Sequence, residues 1–149
     1  MVAHVGRDTL IQFCIANEDA DPASLVFLDL GMTRGRALED AWTTADVTGD
    51  RSPAYTRQKL VTFKDVNASI DGVSYDDAVH NQLLLKQHAA APGAGTNNQP
   101  KAWLRFIFPS HTRTGPFIVS NMSEAEPYDE GATWSMSFES NGPCDFILN

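Results

Sequence analysis

Four histidines are the side chains of this sequence best suited to bind a metal ion or to act as a general base. They stand at positions 4, 80, 88 and 111, and none has a cysteine or a second histidine at the spacing of a metal site. His80 and His88 are separated by two helical turns, whereas two ligands of one ion on a helix stand four residues apart. The spacing favours a solvated helix face over a metal centre.

Ser110 and His111 are the pair that offers a nucleophile beside a base. Adjacent residues in a turn seldom direct their side chains at each other, and no nucleophile-elbow glycines surround Ser110. We therefore expect a surface turn here. Because the sequence shows no acid and base pair elsewhere, it predicts that the protein is not an enzyme.

Two further groups resemble ligand sites only superficially. A set of aspartates lacks the alternating spacing and the terminal glutamate of a calcium loop, so turn and capping roles are expected for Asp46, Asp50, Asp71, Asp76 and Asp77. The run Gly93-Ala94-Gly95 has neither the strand-to-helix context nor the lysine of a phosphate cradle. We predict no metal, no cofactor and no catalytic residue.

The charge of the chain opposes a role in gripping nucleic acid. Its 149 residues include 11 Lys and Arg against 19 Asp and Glu, a net charge of -8, whereas affinity for nucleic acid comes mainly from basic side chains that displace counterions. Trp103 and Phe106 have only Lys101 and Arg105 beside them, so core packing is their expected use. An acidic protein surface would instead repel the phosphates of DNA over about 8 Å at physiological salt.

Length and cysteine usage predict one domain, residues 1–149, with a core that buries roughly 70% of the unfolded surface. Cys14 and Cys144 each lie in an apolar stretch, which predicts two buried free thiols. Polar residues interrupt the N-terminal stretch, so neither a signal peptide nor a membrane span is expected.

Period-2 alternation is the main structural signal. Trp134, Met136 and Phe138 alternate with polar residues, as expected for a strand with one buried face. Further strands or short apolar runs are predicted at residues 9–16, 25–30, 32–46, 60–70, 101–108, 117–122 and 146–148. About seven strands and one helix predict an antiparallel β-sandwich or partly closed barrel, mainly β, with the helix packed against it.

The one helix is predicted over residues 75–88. Ser74 is a suitable N-cap with Asp77 three residues on, and Leu83, Leu84 and Leu85 widen an apolar stripe. Glycine, proline and polar residues predict flexible loops at about residues 18–23, 48–57 and 91–100.

A bulge is predicted near Lys64 and Asp65. Val61 and Phe63 face one side of the predicted strand and residues 66, 68 and 70 the other, and a bulge between the sets would turn both to the core.

Short motifs follow one another in the order of a known family. In chain order they are Gly6-Arg7-Asp8-Thr9-Leu10, Asp46-Val47-Thr48 with Arg57 and Leu60, Ala68-Ser69-Ile70-Asp71-Gly72 with Tyr75-Asp76-Asp77-Ala78, Trp103 with Pro109, Gly115-Pro116-Phe117, and Phe138-Glu139-Ser140-Asn141-Gly142. In this order and spacing, over nearly the whole chain, the sequence resembles the major tail tube proteins of long-tailed phages (siphoviruses) and of gene transfer agents. Residues 92–100 depart from that family as a longer helix-to-strand connection, and residues 18–22 as an insertion.

The resemblance implies a structural virion protein. It implies hexameric rings whose sheets join around a lumen and stack into a tube that conducts genomic DNA from capsid to host. The implied partners are further copies of the chain, a tape-measure protein, a tail terminator and a distal tail protein, with DNA passing through without specific binding and no membrane. The implied place is the virion tail, after assembly in the host bacterial cytoplasm. The alternative from the residues is a small β-sandwich module that binds a carbohydrate or protein ligand.

Two sets of residues are predicted to serve this assembly. The polar loop is too long for a tight hairpin turn, so it is predicted as the contact between rings, through Thr48, Gly49, Asp50, Arg51, Ser52, Pro53, Tyr55 and Arg57. Asp65 and Glu124 interrupt strand-like runs on their polar side and are predicted to face an acidic lumen.

Overall fold

The computed structural model of the chain describes residues 3, 5, 8–50 and 53–149, apart from the side chain of residue 55. Within these residues there are eight strands and one α-helix. The strands are β1 (Leu10–Cys14), β2 (Leu28–Asp29), β3 (Thr33–Asp46), β4 (Lys59–Val73), β5 (Lys101–Ile107), β6 (His111–Ala125), β7 (Thr133–Ser140) and β8 (Asp145–Leu148), and the helix is α1 (Gln82–Ala90).

The strands form one antiparallel sheet. Seven of them follow the order β2, β1, β5, β6, β7, β4, β3, and β8 pairs with β6. Within the described residues the end strands β2 and β3 do not pair with each other, so the sheet does not close. The predicted fold class, mainly β and antiparallel with one helix, is confirmed.

Strand β6 belongs to both halves of the sheet. Its first half pairs with β5 and β8 and its second half with β7, and the register shifts between Val119 and Asn121. A bulge of this kind bends a strand, and one buried cluster contains side chains from both halves, which therefore pack face to face. A Cβ atom on Gly115 would lie 2.3 Å from Sγ of Cys144, so glycine lets the β7–β8 connection cross β6 closely.

The buried face of β7 matches the predicted alternation. Trp134, Met136 and Phe138 are buried, and Ala68 and Ile70 of β4 lie directly opposite the last two. Each large apolar side chain buried in this way contributes about 1.5–3 kcal/mol to folding. These strands therefore form the centre of the core.

Strand β5 is covered on both faces, as its sequence predicts. Leu104 is fully buried in the core, and Trp103 on the other face donates its indole N–H to the carbonyl oxygen of Asn17 at 2.8 Å. Thr96, in the connection before β5, is also buried and donates its hydroxyl to the carbonyl oxygen of Gln99 at 2.7 Å. The segment 91–100 is thus buried in part, and its Pro100 carbonyl oxygen accepts the N–H of Val119 on β6 at 2.9 Å.

Helix α1 begins at Gln82, not at residue 75 as predicted. Asn81, immediately before it, has a left-handed backbone with φ of 58°, and the carboxylate of Asp77 accepts the backbone N–H of His80 at 3.2 Å. Residues 77–80 therefore form a bend and turn before the helix, and Ser74 does not cap it. The side chain of Gln82 satisfies three backbone groups, at residues 31, 73 and 75, which fixes where the helix starts.

The helix packs through a narrower face than the sequence predicts. Leu85 is fully buried, whereas Leu83 and Leu84 are exposed. His88 is only 5% exposed, and its Nε2 lies 2.7 Å from the carbonyl oxygen of residue 101 on β5. The predicted solvated face is therefore wrong for His88, and His80 precedes the helix.

The two cysteines form no disulfide and are half-buried, so the prediction of free thiols is confirmed and that of full burial is not. Burial raises the pKa of both thiols. In the described part of the chain, no helix has the length and apolar character needed to cross a membrane.

Candidate assembly surfaces

The outward side of β3, β4, β7 and the second half of β6 is lined by short polar side chains, and we call it the polar face. It is the side opposite the buried face of Trp134, Met136 and Phe138. The strand register places its residues in three rows across the sheet: Gly35, Asp71, Ser135 and Ser123; then Ala37, Ser69, Ser137 and Asn121; then Glu39, Asn67, Glu139 and Ile118.

The polar face is acidic. Its rows carry the carboxylates of Glu39, Asp71 and Glu139, and Asp65 extends it beside Ala41. The carboxylate of Asp71 lies so close to β3 that a Cβ on residue 35 would be 2.5 Å from its Oδ1. Among the described residues, a basic side chain, that of Arg34, lies at one end of the polar face, beside Gly35 and Asp71.

Glu124 lies on the other side of the sheet, opposite Trp134 in the register. Its carboxylate forms an ion pair with Lys86 of α1, with Nζ 3.3 Å from Oε1. The structure therefore places Asp65 and Glu124 on different faces. A position in a lumen stays a prediction for both.

Two long strand edges bound the polar face. Within the described residues, β3 pairs only with β4, and the part of β6 from Asn121 to Ala125 pairs only with β7, whereas the N–H of Val119 donates to the carbonyl oxygen of Pro100 at 2.9 Å. Open edges of this length invite pairing with another chain, and natural proteins usually cover or interrupt them. Both edges are thus available to neighbouring subunits.

The hairpin of β3 and β4 extends beyond the rest of the sheet. Pairing between β4 and β7 ends at Asn67 and Glu139, after which the N–H of Val66 donates to the hydroxyl of Ser140 at 2.9 Å. Beyond this point the described residues of β3 and β4 form strand pairs only with each other. We call residues 41–65 the arm.

A bulge lies in the arm at Thr62, two residues before its predicted position. Thr43 is opposite Phe63 and Thr44 is opposite Val61, which leaves Thr62 as the extra residue. The bulge does not turn Val61 and Phe63 to the core as predicted, because no second layer formed by the described residues covers them. Phe63 is 73% exposed.

The arm exposes an unusual number of large apolar side chains: Trp42, Val47, Leu60, Val61 and Phe63. The ammonium group of Lys64 lies 5.2 Å from the ring centroid of Trp42. A group of exposed apolar residues of this size marks an interaction surface.

The tip of the arm contains the predicted ring-contact residues. Arg51, Ser52 and the side chain of Tyr55 lie outside what the structure describes. The others, all exposed, are Thr48, Gly49, Asp50, Pro53 and Arg57.

Hydrogen bonds join the two strands where the loop at the tip begins and ends. The N–H of Thr48 donates to the carboxylate of Asp46 at 2.8 Å, and its hydroxyl accepts the N–H of Gln58 at 2.8 Å. Hydrogen bonds from Thr48 lower the pKa of Asp46. The loop therefore emerges from a fixed base.

A charge cluster anchors the base of the arm. The guanidinium of Arg113, on the opposite half of the sandwich, lies 2.5 Å from Oδ1 of Asp40, and Nζ of Lys64 lies 3.5 Å from the same oxygen. The hydrogen bond from Arg113 is the main reason why the pKa of Asp40 is lowered. This contact ties the arm to the other half of the fold.

The end of β6 and the connection that follows it form an acidic turn, which we define as residues 124–131. Its carboxylates are Glu124, Glu126, Asp129 and Glu130. Among the described residues, Glu126, Asp129 and Glu130 form no ion pair, and Tyr128 is fully exposed.

Ser110 and His111 do meet, contrary to the expectation for adjacent residues. The serine Oγ lies 2.9 Å from the histidine Nδ1. The imidazole stacks between Phe108 and Phe146, with ring centroids 4.5 and 4.4 Å away, and within the described residues it has no carboxylate partner. A metal-binding group of three or more suitable side chains is likewise not found there. The stacked rings join the β5–β6 connection to β8.

Comparison with known proteins identifies the family of the chain. A family model described as phage tail tube protein matches residues 3–146. Among the curated proteins, none matches the chain in sequence.

Three solved structures have a similar fold. A chain in the virion of a native gene transfer agent particle has a TM-score of 0.72 and 20% identity, over 97% of this chain and 99% of that chain. A chain from the tail of an empty gene transfer agent particle, computed with helical refinement in C6 symmetry, has a TM-score of 0.71 and 21% identity over the same shares. The SPP1 tail tube protein has a TM-score of 0.59 and 11% identity, over 97% of this chain and 78% of that chain.

At these identities the solved structures show a shared fold. The family match adds the classification, because it spans nearly the whole chain. The chain belongs to the phage tail tube protein family, and it is a structural protein of the virion tail.

Proposed function

We propose that six copies of this chain form a ring in which the open edge of β3 pairs with the open edge of β6, residues 121–125, of the neighbouring copy. Supporting this, the two edges bound the same four strands. A similar chain occurs in a tail refined in C6 symmetry. Four strands from each copy then make one continuous barrel, which removes every open edge of this part of the sheet.

The polar face lines the lumen of this barrel. Its short serine, asparagine and alanine side chains leave a smooth wall, and Glu39, Asp65, Asp71 and Glu139 make it negative. A negative wall repels duplex DNA and allows it to slide. DNA therefore passes without specific binding, while the buried face of the same strands remains in the subunit core.

Rings stack head to tail through the tip of the arm, residues 48–57. A contact between unlike faces does not close on itself and therefore continues as a filament. Tail length and tube ends then require other proteins, and the partners are a tape-measure protein, a tail terminator and a distal tail protein. The chain assembles in the host bacterial cytoplasm and carries neither catalytic activity nor a cofactor.

The observation that carries this proposal is an acidic polar face bounded on both sides by open strand edges. The test combines electron microscopy with DNA retention. Purified wild-type protein should form tubes that retain little duplex DNA, and the variant Glu39→Lys/Asp71→Lys should form tubes that retain DNA in a salt-sensitive manner. The variant Asp8→Lys/Asp19→Lys, which adds the same charge outside this face, is the matched control.

Two outcomes would overturn the proposal. Wild-type protein that forms neither rings nor tubes would contradict the ring. Equal DNA retention by the polar-face variant and its control would contradict the position of the polar face in the lumen.

A further inference from the structure

The arm and the acidic turn lie at opposite ends of the same paired strands. Strands β4 and β7 pair from Val73 and Thr133 at one end to Asn67 and Glu139 at the other. The acidic turn ends two residues before Thr133, and the arm extends beyond Asn67. The eight residues of β7 separate the two ends by about 26 Å at about 3.3 Å per residue.

We propose that the acidic turn, residues 124–131, is the docking site for the arm of a second copy of this chain in the adjacent ring. This inference rests on the proposed head-to-tail stack. When strands run along the stack, the tip of one copy meets the opposite end of the next copy, where the acidic turn projects.

Charge complementarity favours this pairing of ends. Glu126, Asp129 and Glu130 are exposed and have no ion-pair partner among the described residues. At the arm, Arg57 and Lys59 are exposed and likewise form no ion pair there. Each side thus offers unused charge of opposite sign to the other.

The arm also carries carboxylates, and they do not cancel this complementarity. Asp46 accepts the N–H of Thr48 at 2.8 Å and keeps its negative charge, and Asp50 is the second acidic residue near the tip, but basic residues outnumber these two. In sequence, residues 46–59 contain three basic and two acidic residues, whereas the acidic turn contains four acidic residues and no basic one.

Apolar contact adds an anchor to the charge pairs. Tyr128 is fully exposed within the acidic turn. On the arm, Val47, Leu60 and Val61 are exposed beside the basic residues. A tyrosine that packs on aliphatic side chains within a charged rim is a common centre of a protein interface.

The same charges specify the direction of stacking. Two acidic turns brought together would place eight carboxylates in proximity, and like charges of this kind oppose contact. An arm against an acidic turn has no such repulsion. The contact therefore selects head-to-tail stacking over head-to-head stacking.

Charge reversal with rescue tests this docking site. The variants Glu126→Lys/Glu130→Lys and Arg57→Glu/Lys59→Glu should each form rings with a wild-type circular dichroism spectrum, and electron microscopy should show mean tube length reduced about tenfold or more. Mixing the two variants should restore long tubes in which the two proteins alternate, since each ring then meets a ring of opposite charge at both of its faces. A single protein that carries all four substitutions should form long tubes by itself.

The control variant Asp8→Lys/Asp19→Lys should form tubes of wild-type length. Tubes of wild-type length from either double variant would overturn the docking site. Tubes of the protein with all four substitutions that are no longer than those of the double variants would also overturn it. Failure of the wild-type protein to form rings would contradict the proposed function. This result can be distinguished from the two outcomes that concern only the docking site.

Discussion

Loss of the carboxylate at Asp40 should weaken the subunit measurably, although the residue lies at the surface. The Asp40 side chain is 38% exposed, but its partner Arg113 is only 13% exposed. A surface ion pair contributes about 0.2–1 kcal/mol, whereas a largely buried charged group left without its partner costs about 1–3 kcal/mol. For Asp40→Asn we expect a decrease of about 1–2 kcal/mol in the free energy of unfolding, near the lower limit because water screens Asp40.

The assay is urea denaturation of unassembled subunits, with Glu39→Gln as the matched control. Residue 39 is the preceding position of β3, on the polar face, and it forms no ion pair among the described residues. The control should change the free energy of unfolding by less than about 0.5 kcal/mol. In thermal denaturation, the Asp40 variant should lose about 2–8 °C in Tm.

The pH dependence gives a second test of the same contact. Because Arg113 lowers the pKa of Asp40 in the folded state, the stabilising effect is complete above the unfolded pKa of about 3.9 and is lost as pH falls through the lower folded value. The difference between wild type and Asp40→Asn should therefore persist at pH 7 and shrink below about pH 4. A variant as stable as the Glu39→Gln control at pH 7 would refute the role assigned to this contact.

Three further predictions follow from the surfaces and the core. Replacement of residues 48–57 by a short Gly-Ser link should preserve the circular dichroism spectrum and abolish tubes, and tubes of normal length would place the ring contact elsewhere. Oligomer size should not change on addition of reductant, because Cys14 and Cys144 form no disulfide in the subunit; loss of oligomer on reduction would show covalent association. Leu85→Ala should destabilise the subunit by about 2–5 kcal/mol and Leu83→Ala by less than about 0.5 kcal/mol in urea denaturation, whereas equal losses would contradict the observed orientation of α1.

Periodicity predicted the central strands because burial on one face requires it. Trp134, Met136 and Phe138 repeat at every second residue, and a shift of register by one residue would move all three into water. Such a pattern has one structural solution. The same logic explains the successful prediction of β5, whose nearly continuous apolar run requires cover on both sides.

The helix start was mispredicted because local signals compete with distant ones. Ser74 and Asp77 satisfy the spacing of a capping box, yet the side chain of Gln82 bonds to backbone groups at residues 31 and 73, far away along the chain or across a turn. No local pattern contains these partners. His88 was misplaced for the same reason, since the carbonyl group that it contacts lies on β5.

The arm shows a different limit of the sequence pattern. Val61 and Phe63 look like core residues, because the alternation of apolar and polar residues does not reveal where the second layer ends. The available signal was their position in the alternation, because Val61 and Phe63 fall on the opposite side of the strand from Val66 and Ile70. The sequence analysis explained this change of side by a bulge that would turn Val61 and Phe63 back to the core. In the structure it marks the point where the strand leaves the core.

An isolated two-stranded hairpin is at best marginally stable in water, and the arm has that form along most of its length. Its strands bury little in the subunit, its edges are open, and Trp42, Leu60 and Phe63 are exposed. Neighbouring copies would supply the missing cover, so the order of the arm and the growth of the tube become linked. The net charge of -8 opposes contact between free subunits. Subunits therefore associate where specific charge pairs form together with apolar contacts. This requirement opposes nonspecific aggregation through the exposed apolar side chains of the arm.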